Sequence, residues 1–444
     1  MSTIDLTPRW DNFALYLPSI QSTFCSTLKQ SIPSERNFPS DLNMKDLNFW
    51  SGKSKLWTYS KILYSVGQFK VGDTPADAIT SRINEKDFTI LGDSGGFQIG
   101  KGAFKGIKGL ENKAMPPEKA AKAWRESNAK DWIVRWLNSH ADYSMTIDMP
   151  LWAQLPENKN TPFHNCSKEL LIEMSLENLK FIERSGLRKT KWLNVIQGSD
   201  RNAMLEWWNA VKWFRHGGWA IAGDTSWRGG IAEVMHTLLT MRDDNAFEVG
   251  QDWLHVLGVS QAKWAVLLSA IQRGLRVKNP KLTVSYDSAS AFQASGVREQ
   301  VAVYPKFSSN LSNSGTSDSW VITMRDCPQS INYTGKEEQR HFPFQSPLGD
   351  KLRMNQLNVR ADRYGRKQFD SFSNAILTNH NVWVYVRAFL EANELAIMER
   401  HDAEQFVPKV LLDGCDLIEE LLNKKSWLRT FNKHQDLFTA IDTI

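Results

Sequence analysis

Several common signatures are missing from this 444-residue chain. Its four cysteines, Cys25, Cys166, Cys327 and Cys415, are scattered and form no Cys-x-x-Cys pair, which argues against a disulfide framework or a zinc knuckle and fits a reducing compartment. The nine histidines are dispersed, and none pairs with another or with a cysteine at ligand spacing, so no metal site is expected. No apolar run approaches the roughly 20 residues of a membrane-spanning helix. The start, Met1-Ser2-Thr3-Ile4-Asp5, carries neither a basic segment nor an apolar one, and the expectation is a cytoplasmic protein. No Gly-x-Gly-x-x-Gly follows the first strand-like run, no P-loop appears, and the Gly-x-Ser-x-Gly elbow is absent. Net charge is only +5, so nucleic-acid binding is permitted but not demanded.

What the chain does have is a repeated change of period. Runs with β character at Asn12–Leu17, Lys61–Val66, Phe88–Leu91, Tyr143–Ile147, Trp192–Ile196, Gly218–Ala222, Trp253–Leu257 and Leu282–Tyr286 give eight strand candidates. Between most of them lie segments at helical spacing, at Pro117–Leu137, Ser167–Arg184, Arg201–Arg215, Ile231–Met241 and Gln261–Leu275, with a short helical connection beginning at Ala76. Strands alternating with helices argue for parallel βαβ units, and eight of them for closure into a (β/α)8 TIM-type barrel over residues 1–300. An open doubly wound sheet is disfavoured because polar residues recur at many strand ends instead of at one switch point. Past Gly296 the character changes. Residues 305–350 are rich in Ser, Asn, Pro and Gly, and from Phe369 the pattern is helical, with Val382, Val384, Tyr385, Ala388, Phe389 and Leu390 marking a buried helix. Residues 301–444 are therefore read as a loop-rich insert and a helical elaboration packed on the barrel.

In a parallel barrel, chemistry sits where strands end. Those ends carry Asp93, Asp148, Gln197, Gly223 and Asp287. A single Asp there is usually a helix cap, but three carboxylates at one mouth would allow paired-carboxylate chemistry, in which one Asp attacks a sugar carbon and another moves a proton. The stretch Asp93-Ser94-Gly95-Gly96-Phe97-Gln98 has the form of an active-site loop, since its glycines let backbone N–H groups approach a ligand. The 18 tryptophans are mostly packing residues, although flat side chains also suit base stacking.

Asp93-Ser94-Gly95-Gly96-Phe97-Gln98, Val195-Ile196-Gln197-Gly198, Gly218-Trp219-Ala220-Ile221-Ala222-Gly223 and His255-Val256-Leu257-Gly258-Val259 occur in the order and approximate spacing of the tRNA-guanine transglycosylase superfamily. The chain resembles that superfamily over roughly its middle half. The resemblance implies exchange of a purine base for a 7-deazaguanine, with no cofactor. It assigns Asp287 as the nucleophile that takes C1′ and Asp93 as the general acid and base. It places Asp148 on the N1–H and 2-amino edge, Gln197 and the Gly223 N–H on the O6 side, and Phe97 and Leu257 on the two faces of the base, with Ser94 and Gly96 nearby. Asp224 and Arg228 align with positions near the substituent of the incoming base.

Departures from the family narrow the expectation. The tRNA-acting members carry a Cys-x-Cys-x-x-Cys…His zinc site after the nucleophile, where this chain has only Cys327, and Ser288-Ala289-Ser290-Ala291-Phe292 stands in place of their Pro-Thr-Arg segment. The pattern resembles the DNA-acting branch, which inserts a 7-deazaguanine such as preQ0 into bacterial or phage DNA. No zinc is expected. The expected partners are DNA and the free base, and a protein partner or homodimer is left open. Lys101, Lys105, Lys108 and Lys113, opposed only by Glu111, are candidate phosphate contacts, and Arg360, Arg363, Arg366 and Lys367, then Lys424, Lys425, Trp427 and Arg429, could extend them. Action on tRNA, a non-catalytic base-binding or partner subunit, and a glycoside hydrolase using the same two carboxylates remain the alternatives.

Overall fold

A computed structural model of the chain describes residues 3–73, 88–222, 227–310, 320–327, 340–357, 359–361 and 367–444. Eight parallel strands close into a barrel. They are β1 (Leu15–Ile20), β2 (Lys61–Ser65), β3 (Thr89–Asp93), β4 (Tyr143–Met145), β5 (Lys191–Ile196), β6 (Gly218–Ile221), β7 (Trp253–Val256) and β8 (Thr283–Ser288). Each pairs with its sequence neighbours, and β8 returns beside β1 with Asp287 opposite Leu17. These are short, almost wholly buried runs, as expected for strands covered on both faces. All eight predicted runs become barrel strands.

Their limits shift by a few residues for identifiable reasons. The first predicted run stops short of Pro18, yet β1 passes through it. Pro18 stands at a hand-over: β8 pairs with β1 up to Pro18, and β2 pairs with β1 from Ser19 onward. At that stagger the missing N–H is tolerated. The single helical segment expected over Pro117–Leu137 is two helices, Pro117–Arg125 and Ala129–His140. The break falls at Ser127, whose Oγ donates to the Trp124 carbonyl at 2.8 Å instead of continuing the helix. The connection expected from Ala76 lies outside the described residues.

The later crossover helices include Lys168–Ser185, capped by Ser167, and Arg201–Val211, capped by Asp200. Ala262–Arg276, between β7 and β8, is buried nearly all round, because two C-terminal helices cover the side that would otherwise meet solvent. One of these is Lys409–Asn423. Gly274 lets it come close, since a Cβ there would lie 2.7 Å from Leu422 Cδ1.

The other is the 26-residue helix Ser371–Ala396, which backs the closing seam of the barrel. Phe389 packs edge-on to Tyr16 of β1, with ring centroids 4.8 Å apart, and lies 5.8 Å from Tyr286 of β8. At its start, the buried Arg36 guanidinium donates to both oxygens of Asp370, at 2.9 and 3.1 Å, and to Ser373 Oγ. Burial alone would raise the Asp370 carboxyl. The fork of Arg36 outweighs it and holds the carboxyl below its ordinary value. The C-terminal helices are thus bound to the barrel both by packing and by a buried ion pair.

Candidate active site

At the C-terminal end of the barrel a pocket of about 500 Å³ is lined by residues from six of the eight strands or the loops after them. Asp93 comes from β3, Met145 and Asp148 from β4 and its loop, Val195 and Gln197 from β5, Ala222 from β6, Leu257 and Gly258 from β7, and Asp287 from β8. The three predicted carboxylates therefore converge on one cavity. None of them caps a helix: the residue before helix Gly96–Gly100 is Gly95, and that before helix Ser290–Arg298 is Ala289.

Asp93 is the last residue of β3, level with Ser65 of β2. It accepts hydrogen bonds from the Ser65 side chain and from the Gly95 N–H, the latter at 3.2 Å. Gly95 can turn back in this way because its φ is +80°, and its Cβ would meet Phe104 at 2.7 Å. Burial raises the Asp93 carboxyl above its ordinary value. The Ser65 and Gly95 bonds oppose the rise, and the charge of Asp287 adds to it.

Asp148 lies three residues beyond β4 and is held by Gln197, whose Nε2 donates to Asp148 Oδ2 at 2.8 Å and to the Met149 carbonyl at 3.0 Å. The Gln197 Oε1 accepts the Leu151 N–H at 2.8 Å. Both amide hydrogens are thereby used, and in this structure Gln197 serves to aim Asp148. Burial pushes the Asp148 carboxyl up to about 7, aided by the charge of Asp93 and opposed by its own backbone N–H and Gln197. Gly96 makes room for this carboxyl, since a Cβ there would stand 3.2 Å from Asp148 Oδ1.

Asp287 is set differently. Its Oδ1 accepts the Gly258 N–H at 2.8 Å and faces His255 Nε2 at 3.3 Å. The left-handed turn at Gly258, φ +79°, points that N–H at the carboxylate. His255 is fully buried, level with Ser285 on the neighbouring strand, and its Nδ1 lies 2.9 Å from Ser285 Oγ. Trp253 Nε1 in turn donates to Ser285 Oγ at 2.7 Å.

The remaining predicted residues divide. Phe97, Leu257, Arg228 and Lys101 all line the pocket, and Phe97 is 62% exposed at its mouth. Ser94 does not line it; the buried hydroxyl donates to the Thr146 carbonyl and ties the ends of β3 and β4 together. Lys105, Lys108 and Lys113 are exposed away from the lining, and Lys113 pairs with Glu111 at 2.6 Å. Gly223 and Asp224 lie outside the described residues, as do Arg363 and Arg366, and nothing is described of the Arg360 and Lys367 side chains. Among the described residues no three of His, Cys, Asp and Glu gather as a metal site.

Two features escaped sequence reasoning. One wall is built by the loop after Asp148, with Pro150, Trp152, Leu155, Glu157 and Asn158. Trp152 sits 5.5 Å from Phe97, ring to ring, and Lys101 Nζ lies 5.1 Å from the Trp152 ring while donating to Asn158 Oδ1 at 2.6 Å. Two prolines and a tryptophan directly after a strand-end Asp were the available signal. The other is the Trp253–Ser285–His255 chain behind Asp287, for which the alternation of residues 253, 255 and 257 along one strand face was the signal. A scan of protein-family models finds none that matches this chain, and a search of curated proteins likewise finds no match.

Proposed function

We propose that the protein is a DNA-guanine transglycosylase, a pentosyltransferase that exchanges guanine in DNA for a 7-deazaguanine such as preQ0. The observation that carries this reading is that Asp93 and Asp287 line one pocket together with Asp148, Leu257 and Phe97. Burial raises the Asp93 carboxyl, which suits a proton carrier, and Asp287 is oriented by the Gly258 N–H and His255, which suits a nucleophile that must be aimed.

In the proposed sequence a carboxylate oxygen of Asp287 bonds to C1′ of the deoxyribose. The C1′–N9 bond breaks with its electron pair passing to guanine, which takes a proton from Asp93. The incoming base gives its proton to Asp93, attacks C1′ and releases the Asp287 carboxylate. Asp148 accepts from N1–H and the 2-amino group, which suits an anion facing two donors. A duplex substrate would have its target nucleotide flipped out of the stack to reach the pocket. DNA is preferred over tRNA on two departures in the sequence: the missing cysteine cluster and the missing Pro-Thr-Arg segment.

Incubation of the full chain with DNA, tRNA and labelled 7-deazaguanine tests the reading. Label is expected in DNA. Label confined to tRNA would transfer the activity to RNA, release of free sugar without label would point to a hydrolase, and no adduct with either polymer would sink the enzymatic reading.

A further inference from the structure

We infer that His255 is a positioning residue for Asp287, held by Ser285 in the tautomer that donates to the carboxylate. Its catalytic consequence rests on the transglycosylase reading above; the hydrogen-bond relay itself does not. Ser285 Oγ receives the Trp253 indole N–H at 2.7 Å, so the hydroxyl hydrogen is free to point at His255 Nδ1, 2.9 Å away. An indole can only donate, so Ser285 accepts at that end, and a hydrogen on Nδ1 would leave a bare Nε2 lone pair facing the Asp287 carboxylate at the other. With Nδ1 accepting, the ring hydrogen lies on Nε2, and Nε2 faces Asp287 Oδ1 at 3.3 Å. Trp253, Ser285 and His255 are all buried, so water does not compete for these bonds.

The arrangement distinguishes the two oxygens of Asp287. The Gly258 N–H and His255 both meet Oδ1, which leaves Oδ2 as the oxygen that attacks. After attack Oδ1 is the carbonyl oxygen of the glycosyl ester and still accepts from both donors. When the second base expels the carboxylate, the returning charge falls on an oxygen already met by two fixed donors, without rearrangement. His255 never touches the substrate in this scheme. It sets which oxygen reacts and eases the departure of Asp287.

The test has one arm that needs no activity. Nitrogen NMR of the ¹⁵N-histidine-labelled full chain is expected to show His255 as the Nε2–H tautomer, with its signal moving in Asp287→Ala and the tautomer becoming mixed in Ser285→Ala. A wild-type His255 carrying its hydrogen on Nδ1 would overturn the inference. In the second arm, denaturant-quenched single turnovers measure the protein–DNA adduct. His255→Phe is expected to slow adduct formation and breakdown about 10- to 100-fold, the usual worth of a hydrogen bond to a charged group, with KM for the base within about threefold. His255→Gln, which returns an N–H donor near the Nε2 position, is expected to recover most of the rate. Equal loss in Phe and Gln variants, or no loss in Phe, would overturn the positioning role. If wild-type protein forms no adduct, the transglycosylase reading fails, and the nitrogen signals still decide the His255–Asp287 bond.

Discussion

On the β3–β4 side of the pocket, Asp93 and Asp148 are carboxyls that burial pushes toward the neutral form, whereas on the β7–β8 side Asp287 sits against the Gly258 N–H and His255. Residues of one chemical type thus meet different surroundings on the two sides of one pocket. The two sites match in one respect, since each carboxyl accepts an N–H from a left-handed glycine, Gly95 for Asp93 and Gly258 for Asp287; they differ in the second partner, a serine hydroxyl on one side and a buried imidazole on the other. A proton carrier benefits from a raised carboxyl, and a nucleophile from one held in a fixed orientation.

The comparison can be broken from either side. Asp287→Ala is expected to abolish exchange of labelled guanine, a loss on the order of 10⁴-fold or more, and to leave no adduct on a denaturing gel. Exchange at the wild-type rate in that variant would remove Asp287 from the chemistry. Asp93→Asn is expected to lose about 10²- to 10⁴-fold in turnover, the range for a general acid and base, while still forming adduct slowly. If its adduct were lost as completely as in Asp287→Ala, the division of labour between the two sides would be wrong.

A smaller effect concerns Asp148. Burial pushes its carboxyl up to about 7, so it is largely neutral at pH 6 and largely charged at pH 8. Only the charged form accepts from both guanine donors. Affinity for free guanine, read by equilibrium binding, should therefore strengthen about tenfold from pH 6 to pH 8, and the slope should flatten in Asp148→Asn. Binding that weakened over this interval would mean that Asp148 works as the neutral acid.

Much of the fold was legible because the strands are short apolar runs, most of them followed closely by Asp, Gly or Gln, and a chain that alternates such runs with helices must bury both faces of the sheet it forms. The candidate carboxylates were legible for the same reason, since strand ends are the one place a barrel gathers polar groups. Other features could not be read. The Gln197 clamp depends on which way an amide points, and sequence carries no such information. Ser94, inside the glycine-rich loop after Asp93, bonds a backbone carbonyl, since a hydroxyl in a tight turn commonly satisfies the chain next to it. His255 looked like an ordinary strand residue because its partners, Ser285 and Asp287, are distant in sequence and meet it only through parallel pairing.

The seam where β8 meets β1 is backed from outside by Phe389, and β8, which carries Asp287, is one of the two strands it touches. Asp287 therefore stands on a strand that leans on a helix from a remote part of the chain. The C-terminal region is packed into the barrel's covering layer, through Phe389 at the seam and the Arg36–Asp370 ion pair. Removing it would bare Tyr16 and Tyr286 and strip the apolar outer side of helix Ala262–Arg276, opening the barrel where its two ends join. In this molecule, the backing of the strand that carries one pocket carboxylate comes from a helix outside the barrel.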